Sequence, residues 1–424
     1  MYRELGEAAW GWVLGHMRDD DGPWLPEIPP ADAPAGDRDS LYAGIAGLAP
    51  VLAEIALTRP WTAAESDLAG AIVARLSRQA ATRDEPSLYD GLAGDVTALR
   101  LLAPGTERVA LERLAALRRP GGWDSTLGVG PGGPLTDVVV GTAGIVMAAV
   151  WAGDRGLAEH GGEALLAVAE QTGAGLDWRM WPGHASSMPN FSHGTAGVAS
   201  ALAVAGRLLG REDFTAAAER GAEHLAAIAS LDGGGFVVEH TIPESTRDVE
   251  PVTYTWCHGP TGTSQLFAAL GRDDLRRRCL HAVLTSGVPQ RLRPGFWDND
   301  GRCCGTAGVG DVLIDAAQDA ADGTAAAAWA GARRMGDALA ERAIRDGNGV
   351  CWRFVEHRVD PPLLPPRTTW MQGAAGIAAF LLRLDRVGRE GLAAPVVDRP
   401  DQFWTVPEKL RTASVAFPGT NGAA

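Results

Sequence analysis

The chain of 424 residues lacks several features that mark other classes of protein. It has no apolar run of the ~18 residues that a membrane-spanning helix needs, so no membrane span is expected. Its Lys and Arg residues form no long run, and the formal net charge of -14 opposes binding to nucleic acid. The N-terminal segment has neither the basic nor the apolar region of a signal peptide, which predicts a cytoplasmic protein.

Cysteine is scarce, and its spacing excludes a disulfide framework. The five residues are Cys257, Cys279, Cys303, Cys304 and Cys351, an odd number confined to the second half of the chain. This pattern favours free or metal-bound thiols in a reducing cytosol. Hydrophobic residues make up 46% of the chain and are dominated by Ala and Leu, which indicates a helical protein with a large core.

One unit recurs along the whole chain: a G-x-x-G turn followed by roughly twelve mostly apolar residues. Successive copies are 46 to 68 residues apart, which leaves room for a helical hairpin with its loops. The turns are Gly44 to Gly47, Gly91 to Gly94, Gly141 to Gly144, Gly194 to Gly197, Gly259 to Gly262, Gly305 to Gly308 and Gly373 to Gly376.

The segments after these turns, such as 198–205, are apolar on every side and are predicted to be inner helices. Amphipathic segments between them, such as 214–230 and 324–344, are predicted to be outer helices. With residues 2–17 as the first outer helix, the pattern predicts an all-α fold, an α/α toroid of seven inner and seven outer helices. We expect one domain over residues 1–392 and an irregular tail over 393–424 that wraps the surface or is disordered.

The mouth of this ring is where chemistry is expected. Glycine at the start of each inner helix allows close approach of backbones near the axis. The converging helix N-termini also favour a negative group such as a thiolate. Two longer insertions, 181–190 and 231–255, precede repeats with candidate site residues and are typical of binding loops or lids.

Aligning the repeats on their first glycine brings unusual residues to equivalent positions. Cys257 and Cys303 lie two residues before the glycine, and His193, His258 and Cys304 lie one residue before it. Two cysteines side by side with a third next to one of them form a three-thiolate set. Thiolate ligands indicate Zn²⁺, and three protein ligands leave a fourth position open, as in catalytic zinc sites.

Other residues near these turns have more than one interpretation. His193 is a candidate general acid/base, whereas His258 could complete a closed structural zinc site. Asp137, four residues before its glycine, could orient a histidine, take part in proton transfer or cap the next helix. Cys279 and Cys351 follow no repeat rule and are predicted to be core thiols.

Together these motifs resemble the lanthionine synthetase C-like cyclases, and the resemblance covers essentially the whole chain. It implies a seven-hairpin α/α toroid with zinc at its mouth. Besides the G-x-x-G turns, the motifs that carry it are Asn190-Phe191-Ser192-His193-Gly194, Trp256-Cys257-His258-Gly259, Cys303-Cys304-Gly305 and Trp370-Met371-Gln372-Gly373-Ala374-Ala375-Gly376.

The resemblance implies zinc ligation by Cys257, Cys303 and Cys304, with the Cys-Cys-Gly motif typical of the subgroup with three thiolate ligands. It implies catalytic roles for His193 and Asp137. The implied reaction adds a cysteine thiol to dehydroalanine or dehydrobutyrine and forms a (methyl)lanthionine thioether ring in a ribosomal peptide. The implied partners are a dehydrated precursor peptide and a separate dehydratase, since the chain shows no fused dehydratase or kinase domain.

One departure and several alternatives accompany this interpretation. Many cyclases have an arginine four residues before the first ligand cysteine, where this chain has Thr253. The same zinc chemistry would also suit an enzyme that adds glutathione to dehydrated residues, and a closed zinc site would suit a non-catalytic peptide-binding toroid. A carbohydrate-cleaving toroid is disfavoured, because Asp90 and Asp137 are the only acidic residues near the aligned positions.

Overall fold

The structure is a computed structural model, and it describes residues 1–31, 34, 36–244, 251–290, 299–320, 324–356 and 359–412. Part of the second predicted insertion, residues 245–250, and the last part of the predicted tail, residues 413–424, lie outside the described residues. All of the predicted site residues lie within them.

Fourteen α-helices occur in the described residues, and they alternate between an inner and an outer ring. Even-numbered helices are inner and odd-numbered helices are outer. In chain order they are α1 (Tyr2–Gly15), α2 (Leu48–Thr58), α3 (Ala63–Ala80), α4 (Leu92–Leu102), α5 (Arg108–Ala116), α6 (Thr142–Ala152), α7 (Arg155–Ala167), α8 (Thr195–Leu209), α9 (Glu212–Ile228), α10 (Pro260–Leu270), α11 (Asp273–Thr285), α12 (Thr306–Asp319), α13 (Ala325–Arg342) and α14 (Ala374–Glu390).

Hydrophobic patterning explains which ring each helix joins. Every residue of α6 except Ala152 is buried, as expected for a helix that is apolar on all sides. In contrast, α9 buries one stripe of residues at three- and four-residue spacing, from Phe214 to Leu225, and exposes its charged face. No helix among the described residues combines the length and apolar composition that a membrane span requires.

The ring is closed by the two ends of the helical region. Each inner helix packs against its ring neighbours, and α14 completes the circle by packing against α2. The first outer helix, α1, packs on the last inner helix, α14, so the N-terminal segment is needed to cover the final hairpin. The prediction of an all-α toroid with seven inner and seven outer helices is confirmed.

Short two-residue strands lie in the connections. Within the described parts of the chain they form five small two-stranded pairs, of which four are antiparallel and the pair β9–β10 is parallel. The strands are β1 (Arg18–Asp19), β2 (Pro23–Trp24), β3 (Glu170–Gln171), β4 (Leu176–Asp177), β5 (Ile344–Arg345), β6 (Val350–Cys351), β7 (Phe354–Val355), β8 (Leu363–Leu364), β9 (Val396–Val397) and β10 (Arg411–Thr412).

Residues 396–412, which we call the C-terminal plug, enter the ring. The plug contains β9, the 3₁₀ turns Phe403–Thr405 and Glu408–Leu410, and β10. Residues 396–402 are buried, and the first 3₁₀ turn packs between α10 and α12. The plug therefore fills the ring interior beneath the mouth, and the domain boundary at residue 392 stays a prediction.

Candidate metal centre and active site

The residues before the first glycines lie side by side because their backbones hydrogen-bond around the ring. Seven such bonds close the circle, and in six of them both residues lie two positions before the first glycine of their turn. In the seventh bond the donor is Val138, which lies three positions before Gly141. The N···O distances are 2.8–3.2 Å. The N–H donors and their carbonyl acceptors are Tyr42 to Tyr89, Tyr89 to Val139, Val138 to Ser192, Ser192 to Cys257, Cys257 to Cys303, Cys303 to Met371 and Met371 to Tyr42.

This closed ladder depends on the second glycine of each turn. A Cβ atom on Gly262 would lie 1.9 Å from the carbonyl oxygen of Trp256 and 2.7 Å from the Cβ atom of Phe191. The first contact is within its own turn, and the second is with the neighbouring hairpin. Glycine is required there because a side chain would separate the loops that form the mouth.

The ladder brings the three predicted metal ligands together. The Sγ atom of Cys304 lies 3.2 Å from that of Cys257 and 3.3 Å from that of Cys303. All three sulfur atoms lie within 4.8 Å of one another, and all three residues are buried. At zinc–sulfur distances of about 2.3 Å, tetrahedral ligands are about 3.8 Å apart, so this donor set fits Zn²⁺ with little adjustment.

The electrostatics of the sulfur cluster also fit a cation. Hydrogen bonds from Cys257 and Cys304 lower the pKa of the Cys303 thiol well below its usual value. Burial raises the pKa of the Cys257 thiol, and hydrogen bonds to the other two cysteines raise that of Cys304. Thiolates this close repel one another, and a bound divalent cation would allow all three to ionise.

His193 and Asp137 form a pair at the same mouth. The Nδ1 atom of His193 lies 2.5 Å from the Oδ2 atom of Asp137, whose side chain is fully buried, while His193 is about one quarter exposed. Burial lowers the pKa of the His193 imidazole, but the hydrogen bond and charge of Asp137 outweigh burial and raise it overall. The carboxylate thus orients the ring and favours its protonated form.

Asp137 has a second contact that explains its place in the sequence. Its Oδ1 atom accepts a hydrogen bond of 2.9 Å from the backbone N–H of Val140, which stabilises the turn before α6. Ser40 occupies the equivalent position in the first repeat, and its Oγ atom accepts bonds from the N–H groups of Ala43 and Gly44. The turn requires only one acceptor at this position, and Asp137 uses its other oxygen for His193.

His258 lies beside the sulfur cluster but outside it. Among the described residues, the group whose ligand atoms all lie within 4.8 Å of one another contains the three cysteines and excludes His258. Its ring centroid is 5.3 Å from that of His193 and 3.8 Å from that of His240. Burial and the two neighbouring histidines lower the pKa of His258 well below its usual value.

A cavity of about 260 Å³ joins these groups. Tyr42 and Gln372 also line the cavity, and no role was predicted for either residue. Their positions could have indicated one, because Tyr42 lies two residues and Gln372 one residue before the first glycine of its turn, as the cysteines do. The Nε2 atom of Gln372 donates to the Tyr42 hydroxyl at 2.9 Å. The lining residues are Tyr42, Asp90, Val139, Ser192, His193, Cys257, His258, Cys303, Cys304 and Gln372.

The two predicted insertions meet at one side of the mouth. Ser187 and Ile242 exchange backbone hydrogen bonds of 2.8 Å in both directions, and Asn190 Nδ2 donates to the carbonyl of Glu239 at 3.0 Å. We call the described parts of the insertions, residues 181–190 and 231–244, the insertion wall. His240 belongs to this wall, and its ring packs against the ring of His258.

Thr253 has a local role in this structure. Its Oγ1 atom donates a hydrogen bond of 2.8 Å to the backbone carbonyl of His258. Its side chain is buried and short, so it supplies no positive charge to the cavity. It fixes the backbone of the loop that carries Cys257 and His258.

The remaining two cysteines lie elsewhere. All five cysteines are free and buried. Cys279 is on the outer helix α11 and Cys351 is on β6, and neither joins the sulfur cluster. Burial raises the pKa of Cys279 well above its usual value and that of Cys351 to about 11, which suits inert thiols.

The fold and the sulfur-lined mouth define a seven-hairpin α/α toroid with a candidate metal centre. A family model described as lanthionine synthetase C-like protein matches residues 36–390, so the chain belongs to that family. Among solved structures, nisin cyclase is similar in fold, with a TM-score of 0.53 over 83% of this chain and 89% of that chain, at 14% sequence identity. No curated protein matches by sequence.

Proposed function

We propose that this protein is a zinc-dependent enzyme that joins cysteine thiols to dehydroalanine or dehydrobutyrine residues of a peptide. The observation that carries the proposal is the meeting of three cysteine sulfurs and an Asp137-bound His193 around one cavity. Metal ligands and a proton-transfer group on a shared cavity are what a thiol addition requires.

Cys257, Cys303 and Cys304 would hold the zinc ion. Zinc bound there would supply a positive charge that lowers the pKa of the substrate thiol, so that the thiol would lose its proton more readily. A closed site would need a fourth protein ligand, and His258 is the residue nearest to that role. Its place outside the group of close ligand atoms supports a catalytic site over a purely structural one.

His193 would move the proton. Because Asp137 binds the Nδ1 atom, the Nε2 atom remains for the substrate. His193 would take the thiol proton as the sulfur attacks the β-carbon, and the carbon–carbon π electrons would then move to the α-carbon and its carbonyl group. The same imidazole would return the proton to the α-carbon, which completes a thioether without a net change in protons.

The partners of this reaction are also part of the proposal. The substrate would be a dehydrated precursor peptide, and a separate dehydratase would form its dehydrated residues. Five reduced, buried cysteines suit a cytoplasmic protein.

The test combines metal analysis with a cyclisation assay. The probe is a synthetic peptide with one dehydroalanine followed by one cysteine, and ring closure is read as loss of alkylation by N-ethylmaleimide, because the addition does not change the mass. We expect one zinc ion per chain and ring formation for the wild type. Cys304→Ala is expected to lose zinc and activity, whereas His193→Asn keeps zinc and loses activity by about 10²- to 10⁴-fold.

Cys351→Ala is the matched control, since it removes a buried cysteine outside the cluster and should change neither result. Full activity of His193→Asn, or activity in protein without zinc, would contradict the proposal. A second probe with dehydroalanine but no cysteine, incubated with glutathione, tests the alternative reaction by its mass increase.

A further inference from the structure

His258 presents an unsatisfied polar group beside the cavity. Only 8% of the residue is exposed, and its buried Nδ1 atom has no hydrogen-bond partner among the described residues. A buried polar atom without a partner is costly, and such atoms in native proteins usually await water or a ligand. The side chain lines the same cavity as His193 and the sulfur cluster.

The position of this ring is fixed from two sides. The hydrogen bond from Thr253 to the carbonyl of His258 holds the backbone. The His240 ring, whose centroid is 3.8 Å away, covers one side of the imidazole. His240 belongs to the insertion wall, which the Ser187–Ile242 bonds tie together. Because the ring is held in place while its Nδ1 atom has no partner, it is positioned to bind a polar group in the cavity that it lines.

The chemistry of the imidazole limits what that group is. A neutral imidazole has one N–H donor and one acceptor nitrogen. A backbone amide also has one donor and one acceptor, whereas a carboxylate has no donor and an ammonium group has no acceptor.

We propose that His258 binds a main-chain amide of the peptide substrate, beside the residue that undergoes addition. This inference rests on the proposed function, because it assumes that a peptide occupies the cavity. His258 is then a residue that positions substrate and takes no part in proton transfer or in metal binding. The insertion wall contributes to substrate binding through His240, which keeps the imidazole in place.

The test separates binding from chemistry. A dehydroalanine peptide with its cysteine replaced by alanine serves as a non-reacting probe, labelled with a fluorophore for anisotropy. The reacting peptide, with its cysteine, gives kcat and KM. The variants are His258→Phe, which keeps the ring volume without nitrogen, and His258→Asn, which keeps one donor and one acceptor. Zinc content and melting temperature are measured for each.

We expect His258→Phe to weaken probe binding and raise KM by roughly five- to tenfold, with kcat nearly unchanged, zinc retained and the fold intact. His258→Asn is expected to recover most of the affinity. His160→Phe is the matched control: the Nε2 atom of His160 is also buried without a partner, but its ring packs against Trp123, away from the mouth. It should bind the probe like the wild type.

Unchanged probe binding in a folded His258→Phe variant would overturn the inference. So would loss of zinc, which would make His258 a ligand, or a fall in kcat alone, which would make it part of the chemistry. Equal losses in the Asn and Phe variants would show that packing is what matters, and would also overturn it. If the wild type binds the probe but forms no ring with the reacting peptide, the proposed function fails, while the binding data still decide the role of His258.

Discussion

The mouth of the ring and the interior beneath it both bury polar side chains, but they satisfy those side chains in different ways. At the mouth, three thiols crowd together and the Nδ1 atom of His258 has no partner. In the interior, the carboxylate of Asp311 accepts hydrogen bonds from Arg302, Arg383 and Arg399. The charged groups of the interior pair with one another, although the Nε atoms of the three arginines lack hydrogen-bond partners among the described residues. The groups at the mouth instead line an open cavity.

The C-terminal plug supplies much of the pairing in the interior. Arg399 belongs to the plug, and so does Asp401, which accepts from Arg302 at 3.0 Å. Burial acts against ionisation of Asp311, yet the charges of the three guanidinium groups keep its pKa well below the usual value. Because Arg302 directly precedes Cys303, this network also supports the loop that carries two of the three sulfur atoms.

The largest expected effect comes from breaking the interior network. Asp311→Ala would leave three guanidinium groups with one carboxylate fewer in a buried site. We expect a loss of about 3–5 kcal/mol in the free energy of unfolding, measured by urea denaturation. When zinc has been removed from both proteins, Cys304→Ala at the mouth should cost only about 1 kcal/mol relative to the wild type. Similar losses of stability in the two variants would show that the two regions do not differ as described.

A smaller effect is expected at the boundary between the two regions. Gly262→Ala would place a methyl group against the carbonyl of Trp256 and the Cβ atom of Phe191. We expect a loss of about 1–3 kcal/mol in the free energy of unfolding, together with weaker zinc binding, because the loop of Cys257 must move.

Gly70 on the outer helix α3 is the matched control, because a Cβ atom there would meet no other atom within 4 Å. Gly70→Ala should raise the stability by about 0.5–1 kcal/mol, through the better helix propensity of alanine. A destabilising effect at both glycines would indicate that backbone conformation, and not the close approach at the mouth, sets the cost.

The repeated features of the sequence were enough to predict the fold. G-x-x-G turns and apolar segments recur in each hairpin, so alignment on the glycine predicted both the toroid and the meeting of Cys257, Cys303 and Cys304. The physical reason is the backbone ladder, which places equivalent positions next to one another. Tyr42 and Gln372 were within reach of the same reasoning and were missed because neither residue type suggests chemistry by itself.

Features that occur only once could not be predicted in this way. The plug has no counterpart in other repeats, and its pairing with Arg302 and Asp311 depends on contacts between distant parts of the chain. The place of His240 depends on the pairing of the two insertions, which no local pattern encodes. The catalytic roles of His193 and Asp137 stay predictions, although the structure places the two side chains in contact.

The smallest expected effect on stability tests the pair at the mouth through its dependence on pH. Asp137→Asn keeps an acceptor for Val140 but removes the charge that raises the pKa of His193. A histidine whose pKa is raised by folding stabilises the protein fully below its unfolded pKa, about 6.5, and the contribution disappears as the pH rises through the folded pKa. The difference in unfolding free energy between the wild type and Asp137→Asn should therefore be larger near about pH 5.5 than near about pH 9.

The His193→Gln background provides the control for this measurement, since the residue there cannot take up a proton. In that background the effect of Asp137→Asn should no longer change with pH. A pH dependence that persists without His193 would assign it to another group near Asp137, such as Asp90, whose pKa is raised to about 6 mainly by burial. That result would contradict an effect of the carboxylate on the pKa of the imidazole, and it would remove the reason to expect His193 to be protonated when the α-carbon needs a proton.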